Sequence, residues 1–198
     1  MRQLHLILLT LVLVLGCSFS PGVRIGSTYF PLVTGAEWIY DVSSGGVAEI
    51  IIDGLEDSTY HTAINGVPYV FYRTHEGIYN IKDGYQTVDG EGIYFGTFHL
   101  FYMPDPPVDG MVYEDSIVSL RFHYGDTLRF FFKFRICVYY IGKMRVGENT
   151  FKEVYMLTRF ETRNHDTLST REWYAPGIGL IKREEGEVTW EIKEWFLP

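Results

Sequence analysis

The cysteine at position 17 is the residue whose neighbours define a chemistry most narrowly. It follows Arg2, an aliphatic run from Leu4 to Leu15, and Gly16. A short positive start, an apolar middle and a small residue before cysteine have the form of a bacterial lipoprotein signal. The run is too short for a transmembrane helix, which needs about 20 apolar residues. An ordinary secretory signal shares the charged start and apolar middle, but Gly16 directly before Cys17 favours lipid attachment. In that chemistry the Cys17 thiol takes a diacylglycerol, the chain is cut after Gly16, and the new amino group is acylated in turn. Two or more acyl chains, at about 0.8 kcal/mol per buried CH₂, make a stable anchor. Ser18 stands where an aspartate would favour inner-membrane retention. The expected location is therefore the bacterial envelope, exported and lipid-anchored, at the outer membrane facing the periplasm.

The remaining chain offers no complete reactive constellation. A serine hydrolase needs a nucleophile on a sharp turn with a positioned histidine and acid, and there is no G-x-S-x-G. His61, His75, His99, His123 and His165 stand singly, without the close spacing typical of metal sites on one element. The acidic groups Asp53/Glu56/Asp57 and Asp83/Asp89/Glu91 flank turn signals and do not follow the EF-hand order. Glu184, Glu185 and Glu187 read as an exposed hairpin. No glycine-rich phosphate loop precedes a helix. Arg129, Lys133 and Arg135 lie among aromatics, but a net charge of −8 opposes nucleic-acid binding through bulk charge. The expectation is a non-enzyme with no cofactor, no metal and no nucleic-acid partner. With Cys17 acylated, Cys137 has no disulfide partner, and a lone thiol of this kind is expected to be buried and inert.

The elements that must position any site are strands. Chain length suits one domain, and 15 Tyr, 14 Phe and 20 Gly point to short strands joined by tight turns. Residues 1–16 are the signal, 17–28 a lipid-anchored tether, and 29–198 a single β-domain. Asp53-Gly54, Asn65-Gly66, Asp83-Gly84, Asp89-Gly90 and Asp109-Gly110 suit the positive φ of hairpin turns. Their spacing fits an antiparallel meander. Strands are predicted near 36–43, 46–53, 58–64, 67–75, 77–82, 92–102, 116–124, 127–141, 168–175, 178–185 and 188–193. In 127–141, Phe130, Phe132, Phe134, Ile136, Val138 and Tyr140 share one face by period-two alternation. Arg129, Lys133, Arg135 and Cys137 share the other, expected to meet solvent or acidic partners on neighbouring strands. Near the C-terminus Val188, Trp190 and Ile192 alternate with polar residues until the phase slips at Glu194-Trp195, where a bulge or strand end fits.

Residues 150–160 support two readings. Thr150 to Glu153 matches a helix capping box, with Phe151, Val154, Tyr155 and Thr158 at helical spacing, while Phe151, Tyr155 and Leu157 also alternate as in a strand. The proline-rich segment from Pro104 to Gly110 cannot pair as a central strand and reads as an exposed loop between two groups of strands.

Two stretches carry a resemblance: Tyr29-Phe30-Pro31-Leu32 with Gly35, Trp38 and Tyr40, and Trp173-Tyr174-Ala175-Pro176-Gly177-Ile178-Gly179-Leu180-Ile181-Lys182. Val146-Gly147 with Thr150-Phe151 fits between them. The pattern resembles uncharacterised bacterial exported and lipid-anchored β-domains that begin YFPL-x₂-G-x₂-W-x-Y and end WYAPGxGLxK. The resemblance implies an all-β fold: a curved antiparallel sheet, a half-barrel or barrel-like meander with few or no helices, similar to lipoprotein carriers. It favours strand for 151–160 and implies no catalytic residues. Read physically, Pro176, Gly177 and Gly179 make a sharp strand connection. Trp38, Tyr40 and Trp173 bury large rings while their polar tips seek partners.

Two functions follow as expectations. In one, the concave face binds a lipid or other apolar ligand through Phe130, Phe132, Phe134, Tyr140 and Trp190. In the other, that face is packed and the domain is an interaction or assembly module contacting an envelope protein. A hydrolase assembled from scattered histidines and acids is a remote third.

Overall fold

The computed structural model describes residues 28–163 and 166–198. Cys17 and His165 lie outside the described residues, so the lipid-anchor reading rests on sequence. Twelve strands run in chain order: β1 (Glu37–Val42), β2 (Val47–Glu56), β3 (Thr59–Ile64), β4 (Val67–Arg73), β5 (Ile78–Val88), β6 (Glu91–Met103), β7 (Val112–His123), β8 (Asp126–Val146), β9 (Asn149–Arg163), β10 (Asp166–Ala175), β11 (Gly179–Glu185) and β12 (Val188–Phe196). There is no helix among the described residues.

Each strand pairs antiparallel with its chain neighbour, except that β6 and β7 do not pair and β1 closes onto β12. The single sheet is therefore ordered β6-β5-β4-β3-β2-β1-β12-β11-β10-β9-β8-β7, and curls until its two edges meet as a nearly closed barrel. The seam between β6 and β7 is held by side chains in place of a hydrogen-bond ladder. Ser119 donates to the Phe95 carbonyl at 3.0 Å, the Phe101 and Tyr113 rings stack with centroids 4.5 Å apart, and His123 Nε2 lies 3.7 Å from Glu91.

One end of the barrel is closed by residues outside the strands. Phe30 packs its ring against Phe71 of β4, Tyr102 of β6 and Tyr174 of β10. One side chain thus touches three separated strands, as a floor must. Asp105 anchors the floor, accepting from the Thr28 hydroxyl at 2.6 Å and the Tyr29 N–H at 2.9 Å, with Arg73 at 3.1 Å. The segment after Pro104 is thus only partly the exposed loop the prolines suggested. It does link the two edge strands, but Pro104 and Pro107 are buried and the Asp105 carboxyl is enclosed.

The two end motifs meet here, which explains why they occur together. Trp38 Nε1 donates to the Ile178 carbonyl at 2.6 Å and the Tyr40 hydroxyl to the Leu180 carbonyl at 3.0 Å. Gly177 N–H donates to the Thr28 carbonyl at 2.7 Å. Gly179 has φ +102°, and a Cβ there would lie 3.2 Å from Pro31 and 3.4 Å from Trp38 Nε1, so both conformation and space require glycine. Trp173 is buried as expected, with the Lys182 ammonium 5.4 Å from its ring centroid, a cation–π contact.

Several departures from the predicted pattern share one cause, the β-bulge. Residues 149–163 form a strand. Opposite β8, Gly142 faces Val154 and Met144 faces Phe151, so Lys152 and Glu153 together oppose Lys143. The bulge brings Phe151 and Val154 to the same interior, and this three-residue step imitates a helical period. Asp53-Gly54 is not a turn but a bulge within β2, where Ile52 pairs with Thr62 and Gly54 with His61. Asp83-Gly84 lies within β5. A Cβ on Gly84 would sit 2.4 Å from the Phe98 ring, so this glycine makes room for an aromatic. In β12 the slip occurs at Lys193, since Ile39 faces Glu194 and Tyr40 faces Ile192.

Candidate functional site

The lumen divides into a packed part and an open part. Phe130, Phe132 and Phe134 point inward and are buried as alternation predicted. Phe130 stacks on Phe95 and Phe98 at 5.4 and 5.6 Å, and Phe132 meets Phe134 at 6.2 Å. The residual gap lined by Phe130 and Phe132 is about 10 Å³, too small to hold a ligand. Tyr140 does not join them. Beyond Val138 the strand bulges at Gly142, and Tyr140 is 50 % exposed against Tyr155. Trp190 is inside, between Tyr40 and the Arg183 guanidinium. Cys137 is buried, as expected. Lys133 and Arg135 find the acidic partner predicted for their face in Glu114.

The open part lies above the floor, between β3–β6 and β9–β11. It is a cavity of about 270 Å³ whose walls include Tyr69, Phe71, Leu100, Phe101 and Tyr102. Charged side chains line it too: Lys82, Arg159 and Arg183 with Glu161, Glu172 and Glu185. Glu172, its side chain 2 % exposed, is the hub. Its two oxygens lie 3.7 Å from Arg159 and 3.5 Å from Arg183, and it accepts from the Tyr174 hydroxyl at 3.1 Å. Arg159 also donates to the Tyr102 carbonyl and stands over the Tyr102 ring at 4.6 Å. Arg183 reaches Glu185 at 2.5 Å.

Burial opposes charge on Arg159 and Arg183, but Glu172 more than offsets it and both guanidiniums are held above their ordinary range. Burial, reinforced by Glu172, pushes the Tyr102 hydroxyl up to about 12. Tyr40 and Tyr174 are raised well above 10, again chiefly by burial. All three remain neutral donors near pH 7.

Two polar groups are left over. Lys82 has no ion pair or hydrogen bond among the described residues, and burial lowers its pKa although Glu161 works the other way. Arg183 Nε is buried with no partner. Lys82 is half-buried and without a counter-charge, and an anion in the cavity would supply one.

A second hollow, of about 460 Å³, opens on the outside along the seam and is lined by Glu76, Tyr79, His99, Phe101, Tyr113, Glu114, Asp115 and Phe134. Phe101 borders both hollows and separates them. His99 shares this groove with three acids, but its Nδ1 is 3.1 Å from the Tyr72 hydroxyl. His61, His75 and His123 lie beside Glu56, Glu76 and Glu91. No described histidine bonds a serine, threonine or cysteine hydroxyl or thiol, and the described residues hold no group of three metal-ligating side chains.

The charged cavity was not anticipated from sequence. Its signal is the phase of Leu157-x-Arg159-x-Glu161, Glu172-x-Tyr174 and Ile181-x-Arg183-x-Glu185, where charged residues sit in register with buried ones.

No protein-family model matches the chain, and no curated protein matches it either. Three solved structures are similar in shape. A candidate lipoprotein from Parabacteroides distasonis is 15 % identical with a TM-score of 0.42, covering 86 % of this chain and 99 % of that one. The hypothetical lipoprotein YmcC of Escherichia coli is 11 % identical with a TM-score of 0.39, covering 84 % and 85 %. A candidate exported protein of YmcC-like fold from Bacteroides fragilis is 11 % identical with a TM-score of 0.34, covering 86 % and 100 %. Likeness at this level carries no argument about function, and the fold described above rests on the strand pairing itself.

Proposed function

We propose that the protein is a non-enzymatic lipoprotein of the bacterial envelope, anchored through Cys17 at the outer membrane and facing the periplasm. Its barrel binds a small amphipathic molecule in the charged lumen cavity. The single observation that carries this reading is Lys82, an unpaired ammonium in a cavity of about 270 Å³. An anionic group such as a carboxylate or phosphate beside Lys82 and Arg183 Nε would complete both. Tyr69, Phe71, Leu100 and Phe101 would then receive the apolar part of the ligand. The volume lies just below the roughly 300–1,000 Å³ of drug-sized pockets, which suits a headgroup or short chain and not a whole diacyl lipid.

The reading places the ligand beside the phenylalanine face that sequence alone had suggested, with Lys82 and Leu100 bordering both. Native mass spectrometry of the protein purified from its own envelope tests it. An anion-bearing adduct lost on Lys82→Gln substitution is expected, and a bare protein that takes up no carboxylate or phosphate amphiphile would contradict it. The packed Phe130–Phe134 face favours a second reading, an interaction module working through its outer surface, which the same bare protein would support.

A further inference from the structure

The exterior is not uniform. Over β10–β12 it is a ladder of charge, Arg171–Glu184–Lys182–Glu191, with contacts of 2.9, 3.0 and 3.4 Å. Beside the seam, at the end opposite the floor, it is apolar. Val118, Leu120 and Phe122 of β7 are 52, 61 and 77 % exposed, and Tyr124 in the turn to β8 is 87 % exposed. The Ser119–Phe95 bond brings the facing edge alongside, where Tyr94 and Tyr85 are also exposed and touch each other at 5.1 Å. Monomeric soluble surfaces rarely group so many large apolar side chains without a partner.

We propose that this edge of the barrel, the β7–β8 tip with the neighbouring β5–β6 tip, docks on a phospholipid bilayer. Aromatic and aliphatic side chains at a protruding hairpin suit the headgroup–acyl boundary, where tyrosine rings in particular settle. Basic groups are present at this tip. Arg129 faces Leu120 across the hairpin and stands over the Phe131 ring at 5.7 Å, and Arg121 lies on the other face of β7, neither with an ion pair among the described residues. Asp89, Glu91 and Asp126 share the two tips, so apolar contact is the main attraction and the guanidiniums add contacts to lipid phosphates. Proximity rests on the lipid-anchor reading. The stretch from Cys17 to Thr28 can span at most about 40 Å, close to the length of a strand such as β7, so an anchored domain can turn this end to the membrane. The contact would point the open end of the lumen toward the lipid.

The test uses the chain from Ser18 to Pro198, which carries neither the acylated cysteine nor the apolar run from Leu4 to Leu15, with vesicles of phosphatidylethanolamine and phosphatidylglycerol. The protein is expected to partition onto them, and Phe122→Trp in that background should shift its emission to the blue on contact. Leu120→Ser with Phe122→Ser, both at exposed positions, should lower partitioning at least about tenfold. Arg121→Gln with Arg129→Gln should weaken it severalfold and flatten its salt dependence. Absence of partitioning, or partitioning indifferent to the serine pair, overturns the proposal. So does concentration-dependent dimerisation abolished by the serine pair, which would make a second copy the occupant. Fatty-acid labelling of the unsubstituted chain reports separately on Cys17, so failure of the anchor and failure of the docking surface give different results.

Discussion

The wall built from Phe130, Phe132 and Phe134 and the wall built from Arg159, Glu172 and Arg183 enclose one lumen, yet only the second leaves room inside it. Aromatic side chains facing one another close the space between them, because a void forfeits dispersion and transfer energy on every surface that borders it. Ion-paired side chains behave differently. Arg159 and Arg183 are both fastened to Glu172, and collapsing either would strand a buried charge. The paired charges thus hold the aromatic wall of Phe71 and Phe101 apart from β10 and β11. Within the lumen the open part is the one lined by paired charge, and the part between Phe130 and Phe132 is filled.

Substitutions can break that contrast or sharpen it. The largest effect is expected at Glu172→Ala, which leaves two buried guanidiniums without their shared counter-charge. A loss at the upper end of about 3–5 kcal/mol should appear in urea unfolding, and a loss below 1 would mean the arginines do not depend on it. Phe132→Ala should cost about 3–5 kcal/mol as a cavity mutation while leaving ligand occupancy per folded molecule unchanged. Loss of ligand there would erase the contrast.

The tyrosines predict an alkaline limit. Tyr102 titrates near 10 when unfolded but at about 12 when folded, so its contribution is complete below pH 10 and disappears as pH climbs to 12. Roughly 2–3 kcal/mol from this residue should show as a falling midpoint over that window, less steep in Tyr102→Phe. Gly84→Ala should cost about 1–3 kcal/mol by pushing the Phe98 ring off Phe130, and Phe98→Leu should relieve it. Smallest in stability is Lys82→Gln, within about 0.5 kcal/mol, because the lysine makes no pair to lose.

Much of this molecule was legible in period two. The strands and the inward set Phe130, Phe132, Phe134, Ile136 and Val138 follow from alternation, and the meander order from the spacing of the turn signals. The resemblance pointed correctly to a strand at 151–160, where Phe151 and Val154 at a bulge made spacing ambiguous. Turn dipeptides misled at Asp53-Gly54 and Asp83-Gly84 because glycine answers to close packing as well as to turns. The site itself was hidden for a related reason. Arg159, Glu172 and Arg183 look like surface residues singly, and only the pairing of the neighbouring strands β9, β10 and β11 sets their inward charges side by side. Lys82 carries no local sign that it lines a cavity without a partner.

The most direct test compares ligand occupancy with stability in one experiment. Native mass spectra of the unsubstituted chain, Phe132→Leu and Lys82→Gln, each purified from the native envelope, are read beside their thermal midpoints. The charged-cavity account predicts the adduct on the first two and its absence from Lys82→Gln, with the Lys82→Gln midpoint unchanged. Equal occupancy in all three, or loss in Phe132→Leu with retention in Lys82→Gln, would contradict it.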